Sequence, residues 1–203
     1  MYYPIIARAA GAKVVTVKAE NLSINCKNIL KQINSNTNII FLANPNNPTG
    51  TVIFKKELEN FIKKIPTNII IVIDGAYSEF IIDKNYSDGI DMVNKFPNLI
   101  VTRTFSKIFG LAGIRLGWAY SNRNIINLLE KIRGPFNVNS IAQELGCYVL
   151  KNKNLLKKSI KHNLKWQKKL PKMINNLGLQ AFDTFTNFVL VKVNKKDSKK
   201  KII

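Results

Sequence analysis

Short apolar runs rich in β-branched residues recur along the chain with amphipathic stretches between them, and this alternation predicts the strands and helices of an α/β domain. Val14 to Lys18, Asn38 to Leu42, Asn68 to Ile73 and Leu99 to Thr102 read as strands. Between the second and third, Leu58, Phe61, Ile62 and Ile65 share one face of a helix over Lys55 to Ile65. Gly117 to Tyr120 reads as a further short strand, followed by a helix over Asn124 to Ile132. A longer helical stretch runs from Ser140 toward Asn176, broken or kinked at Pro171, and Phe188 to Val193 reads as a strand of a new sheet. The expected fold class is therefore α/β, with a mostly parallel sheet covered by helices. Ligands of such sheets bind beyond the carboxyl ends of the strands, so the residues just after each run are the first candidates for chemistry.

At 203 residues the chain is long enough for one large domain, or one domain and part of another. It has no signal-peptide pattern and no apolar run near the roughly 18 residues that span a bilayer, so a cytoplasmic protein without a membrane partner is expected. Cys26 and Cys147 have no CxxC spacing and no neighbouring histidine, so neither a disulfide framework nor a metal site is expected. The formal charge of +20 raises nucleic-acid binding as a candidate of a different class. The lysines, however, are dispersed among asparagine and isoleucine rather than interleaved with aromatic or arginine-rich motifs, and a compositional drift accounts for them without a nucleic-acid partner. Lys151 to Lys172 reads as the wet face of a helix and Lys195 to Lys201 as a solvated tail or loop.

Three segments follow the strands. Asn44-Pro45-Asn46-Asn47-Pro48-Thr49-Gly50 takes a rigid, non-helical path imposed by its prolines and glycine. Asp74-Gly75-Ala76-Tyr77 sets a carboxylate and a phenol at one sheet edge, although a strand-end aspartate also serves as an ordinary helix cap. Thr104 to Gly117 places two hydroxyls, Lys107 and Arg115 among small and apolar residues. A lysine between an apolar strand and Gly110-Leu111-Ala112-Gly113 is expected to be desolvated and, beside Arg115, to have a lowered pKa that makes it a usable nucleophile. His162, the only histidine, sits in a lysine-rich helix with no catalytic partner in view and reads as structural.

In this order and spacing, with eight residues from Lys107 to Arg115, these segments resemble the fold-type I pyridoxal-phosphate aminotransferases. Lys131 to Asn139 and Thr186 to Leu190 resemble the histidinol-phosphate group within them. The resemblance implies that residues 1–150 are the central part of a cofactor-binding large domain. Residues 151–203 would be an interdomain helix and the beginning of a small α+β domain. It implies pyridoxal 5′-phosphate as cofactor, joined to Lys107 as a Schiff base, with Lys107 then acting as proton shuttle. Asp74 would pair with the pyridine nitrogen, and Asn47 and Tyr77 would donate to the 3′ oxygen. Arg115, Thr104 and Ser106 would hold the phosphate. Asn137 and Asn187 match positions near the active site and the small-domain entrance, where a polar turn residue fits equally well. Gly75 departs from the acidic or bulkier residue often found there, and leaves both chemical groups in place.

The implied reaction moves an amino group from L-glutamate, a small-molecule donor, to the phosphorylated keto acceptor imidazole acetol phosphate. An aromatic or broad-specificity aminotransferase and a phosphothreonine decarboxylase share the same scaffold. Family members extend further at both ends, so the sequence reads as a middle piece. On that reading it lacks the ring-stacking aromatic, a phosphate-binding small-residue loop and a substrate-gripping arginine. A homodimer is expected for the full-length form.

Overall fold

The computed structural model describes residues 3–193. Its centre is a four-stranded sheet of β1 (Ile39–Ala43), β2 (Ile70–Asp74), β3 (Leu99–Thr104) and β4 (Gly117–Tyr120), in that spatial order. β1, β2 and β3 are parallel, and β4 returns antiparallel to β3. Parallel strands need crossovers. The one between β1 and β2 carries helix α3 (Lys55–Ile62), preceded in the chain by α1 (Tyr3–Ala9) and α2 (Cys26–Leu30). Leu58, Phe61 and Ile62 of α3 are buried against Ile71, Ile73, Leu99 and Val101 of the sheet, as their helical spacing predicts.

Beyond β4 come α4 (Arg123–Ile132), α5 (Ser140–Lys151) and the 24-residue α6 (Lys153–Asn176). The long helical stretch breaks at Asn152 and not at Pro171. Asn152 leaves helical geometry and its side chain accepts from Leu155 N at 3.2 Å, capping α6. Pro171 is buried inside α6, which continues past it.

Two expected strands differ. Val14 to Lys18 joins no strand or helix, because its apolar pattern finds no ladder partner among the described residues. Of Phe188 to Val193 only β6 (Val191–Lys192) is paired, antiparallel to the equally short β5 (Gln180–Ala181), whose apolar spacing is too brief to register as a strand. Lys195 to Lys201 lies outside the described residues. Cys26 is buried and Cys147 exposed, both as free thiols, and burial pushes the Cys26 thiol up to about 12. No helix among the described residues is long and apolar enough to cross a membrane.

The register fixes where chemistry can occur. Ala43 stands opposite Asp74, and Asp74 opposite Thr102, so the chain leaves β1, β2 and β3 at one edge. A second apolar cluster, Tyr77, Phe80 and Ile108 with Leu156, Ile160 and Phe188, clamps α6 and the segment before β6 against that edge.

Candidate active site

The loop after β1 is built by its own asparagines. Asn44, fully buried, donates from Nδ2 to Ile53 O at 3.0 Å and accepts from Ile53 N at 2.8 Å, so one side chain closes the loop as a strand would. Asn46 Nδ2 donates to Thr49 Oγ1 at 2.7 Å. Asn47, by contrast, is exposed, and its Nδ2 donates to Tyr77 Oη at 3.0 Å, leaving the phenol proton and a second amide hydrogen without a partner among the described residues. Gly50 takes φ +72°, and its carbonyl accepts from Phe185 N at 2.8 Å. A Cβ there would stand 2.2 Å from Thr184 Oγ1. Gly50→Ala is therefore expected to destabilise the protein by about 1–3 kcal/mol, read from urea denaturation, because it combines a left-handed backbone with overpacking.

After β2, Asp74 accepts from Ala76 N through Oδ1 at 3.0 Å and from the Tyr3 hydroxyl through Oδ2. Tyr3 had no place among the sequence candidates. Its ring stacks on Phe41 at 4.9 Å, and burial, then the hydrogen bond and charge of Asp74, push its phenol far above the ordinary range. Tyr77 is buried, and the ring of Phe188 meets it edge-on at 5.2 Å.

After β3, Lys107 Nζ lies 5.4 Å from the Tyr77 ring centroid. The expected desolvation is not there. Lys107 is exposed because Ile108 and Phe109 turn into the apolar cluster and leave the amine at the surface of a groove. That groove, about 480 Å³, runs between Lys107 and α6 and includes His162 and Asn187. His162 is exposed, 6.2 Å from the Trp166 ring. Arg115 holds φ 59°, a conformation that costs a non-glycine residue about 1–2 kcal/mol. From there its Nη1 donates to Ala112 O at 2.6 Å and to Ser106 Oγ at 3.4 Å. Ser106 N in turn donates to Thr104 Oγ1 at 3.1 Å, so one guanidinium and two hydroxyls gather beside the lysine. Asn137 stands apart, exposed between α4 and α5, where it accepts from Arg133 Nη1 at 2.8 Å.

A second missed residue backs the edge. Arg103 of β3 is buried, with Nη2 2.7 Å from Asp88 Oδ2, Nε 3.5 Å from Glu79 Oε1, and Trp118 stacked beside it at 5.7 Å. Its Nη1 donates to Thr102 O at 2.9 Å, the carbonyl that also accepts from Gly75 N. A Cβ at position 75 would stand 1.8 Å from that Nη1, so the glycine does more than leave its neighbours in place: it makes room for the guanidinium. A charged residue inside an apolar run was the available signal.

An amine, a carboxylate, a phenol with its amide and a cationic hydroxyl cluster thus converge at one sheet edge. Over residues 1–203 the sequence matches the family Aminotransferase class I and II. The chain belongs to that family. As a class I and II aminotransferase chain it is 41% identical, over 94% of its length, to the histidinol-phosphate aminotransferase of Maricaulis maris, and 39% identical over 94% to that of Pelagibacter ubique. It covers 53% of each, so the chain spans about half the length of these curated relatives. Among solved structures it is similar to the histidinol-phosphate aminotransferase of Sinorhizobium meliloti in complex with pyridoxal-5′-phosphate. The TM-score is 0.90 at 26% identity, over 97% of this chain and 53% of that one. The fold-type I architecture expected of the sheet is the one this aminotransferase chain has.

Proposed function

We propose that the whole protein transfers an amino group from L-glutamate to imidazole acetol phosphate, giving 2-oxoglutarate and L-histidinol phosphate. The carrying observation is the convergence of Lys107, Asp74, Tyr77 with Asn47, and Arg115 with Ser106 at the edge where β1, β2 and β3 end. The relatives at about 40% identity are named histidinol-phosphate aminotransferases, which supports histidinol phosphate as one member of the exchanged pair.

The donor set fits pyridoxal phosphate part by part. Asp74 is the anion for a cationic ring nitrogen, and Tyr77 Oη and Asn47 Nδ2 offer hydrogens to a phenolate oxygen. Arg115, Ser106 and Thr104 are the charge-assisted and hydroxyl donors for a phosphate, and Lys107 is the amine for an aldehyde. When bound, the cofactor supplies the electron sink that makes the substrate Cα acidic. Lys107 Nζ, exposed on a flexible stem beside the Tyr77 ring, would be the base that takes the substrate Cα proton and holds it. Asp74, held at both oxygens, would present a carboxylate of fixed orientation to the ring nitrogen. The groove between Lys107 and α6, with Asn187 at its wall, offers room for the substrate side chain. Residues 1–150 act as the central part of the cofactor-binding domain and 151–203 as interdomain helix and start of the small domain. The whole protein works in the cytoplasm as a homodimer; exposed Ile132, Phe136 and Ile141 support further protein covering that face.

The test is borohydride reduction of the whole protein with pyridoxal phosphate, followed by peptide mass mapping, alongside transfer assays with imidazole acetol phosphate and phenylpyruvate. Cofactor mass on Lys107 and preference for the phosphorylated acceptor are expected. Attachment at another lysine sinks the site assignment, and preference for phenylpyruvate replaces the substrate with an aromatic one.

A further inference from the structure

The hydroxyl of Tyr3 touches Asp74 and has no role yet in this reading. We propose that Tyr3 is a positioning residue for Asp74: its hydroxyl, donated to Oδ2, fixes the orientation in which the carboxylate meets the cofactor ring nitrogen. The proposal rests on the reading that Asp74 faces that nitrogen.

Three observations carry it. First, Tyr3 begins α1 and lies 71 positions before Asp74, yet its ring stacks on Phe41 of the adjacent strand at 4.9 Å and an interplanar angle of 13°. Two elements therefore fix the hydroxyl, and the contact does not depend on a loop. Second, Asp74 Oδ1 already accepts from Ala76 N at 3.0 Å. With Tyr3 on Oδ2 the carboxylate is engaged at both ends and its terminal torsion, otherwise broad, has one setting. Third, the phenol is pushed up by burial, by its hydrogen bond to Asp74 and by the neighbouring charge, so at neutral pH Tyr3 is a donor and never an acceptor there. Held at both oxygens, the Asp74 carboxylate keeps one aim at the sheet edge, and without the Tyr3 donor it is free to turn away from the ring nitrogen. Lys107 can deliver protons without this hydroxyl, but the Cα it acts on is acidified less.

Tyr3→Phe separates this role from packing, since it keeps the ring over Phe41 and removes only the donor. In the whole protein kcat is expected to fall about tenfold with KM changed by less than about twofold. The pH midpoint of the cofactor's visible absorbance is expected to move upward, because a ring nitrogen whose carboxylate has turned away carries less positive charge. The melting temperature of the cofactor-free protein should stay within about 2 °C of wild type. Tyr3→His, which returns an N–H donor on a ring, should recover part of kcat. A Phe variant with unchanged kcat and midpoint overturns the proposal, as does one whose loss appears only as a lowered melting temperature. Wild-type protein that develops no visible absorbance with pyridoxal phosphate overturns the functional reading and this inference with it, so the two failures are told apart.

Discussion

Lys107→Ala in the whole protein is expected to lower amino-group transfer by about 10⁴-fold or more while leaving the fold intact. The two halves of that result have separate causes. Lys107 is exposed, its side chain makes no hydrogen bond or ion pair among the described residues, and its amine lies 5.4 Å from the Tyr77 ring centroid. Removing it should shift unfolding free energy by no more than about 0.5 kcal/mol, the usual range for a surface change. All of the lost rate then belongs to chemistry. An arginine in its place keeps the charge and still cannot act, because a guanidinium is not deprotonated in the working range and so neither bonds the aldehyde carbon nor removes a Cα proton. The measurement is kcat together with a denaturation curve for wild type, Lys107→Ala and Lys107→Arg. An Ala variant that keeps more than about one part in a hundred of kcat would remove Lys107 from the reaction. The exposure of the amine adds a condition: whatever desolvates it is the cofactor, the substrate or protein beyond these residues, and not the surroundings that its sequence context promises.

The strands that carry the site were legible for a physical reason. β2 and β3 have Ile71, Ile73, Leu99 and Val101 buried without residual exposure, and a strand covered by helices reads as a continuous apolar run. Their ends fell within two residues of the sequence reading. Val14 to Lys18 has the same composition and no partner, and partnership over long range leaves no local mark. The residues that meet at the sheet edge were legible through their spacing, because each follows a strand end closely. Tyr3 and Arg103 were not, since both act across space: one hydroxyl reaches a carboxylate 71 positions away, and one guanidinium fills the gap above a glycine. Asn137 lies away from that edge and is hydrogen-bonded to Arg133.

Arg103→Met is expected to cost about 3–5 kcal/mol of stability, the loss typical of breaking a buried ion pair from one side. Methionine fills the volume and keeps contact with Trp118, so packing is largely preserved and the charge change is isolated. What remains is Glu79, with Oε2 already buried and unpartnered, and Asp88, both without their cation. Burial already raises the Glu79 carboxyl above its ordinary value, opposed by its own backbone N–H and by Arg103. A group whose folded pKa is raised binds more protons folded than unfolded, so its contribution falls as pH rises from the ordinary carboxylate value through the raised one. Without Arg103 the rise is larger. The deficit of Arg103→Met should therefore be smallest in acid, where Glu79 is protonated folded and unfolded alike, and should grow as pH climbs toward neutrality. Urea denaturation of both proteins from pH 4 to pH 8 reads the difference directly. Glu79→Gln placed on Arg103→Met should return part of the loss at neutral pH and little of it in acid, because the amide is neutral throughout. A deficit below about 1 kcal/mol, or one independent of pH, would mean that Arg103 is not what holds the two carboxylates behind the Asp74 to Tyr77 turn.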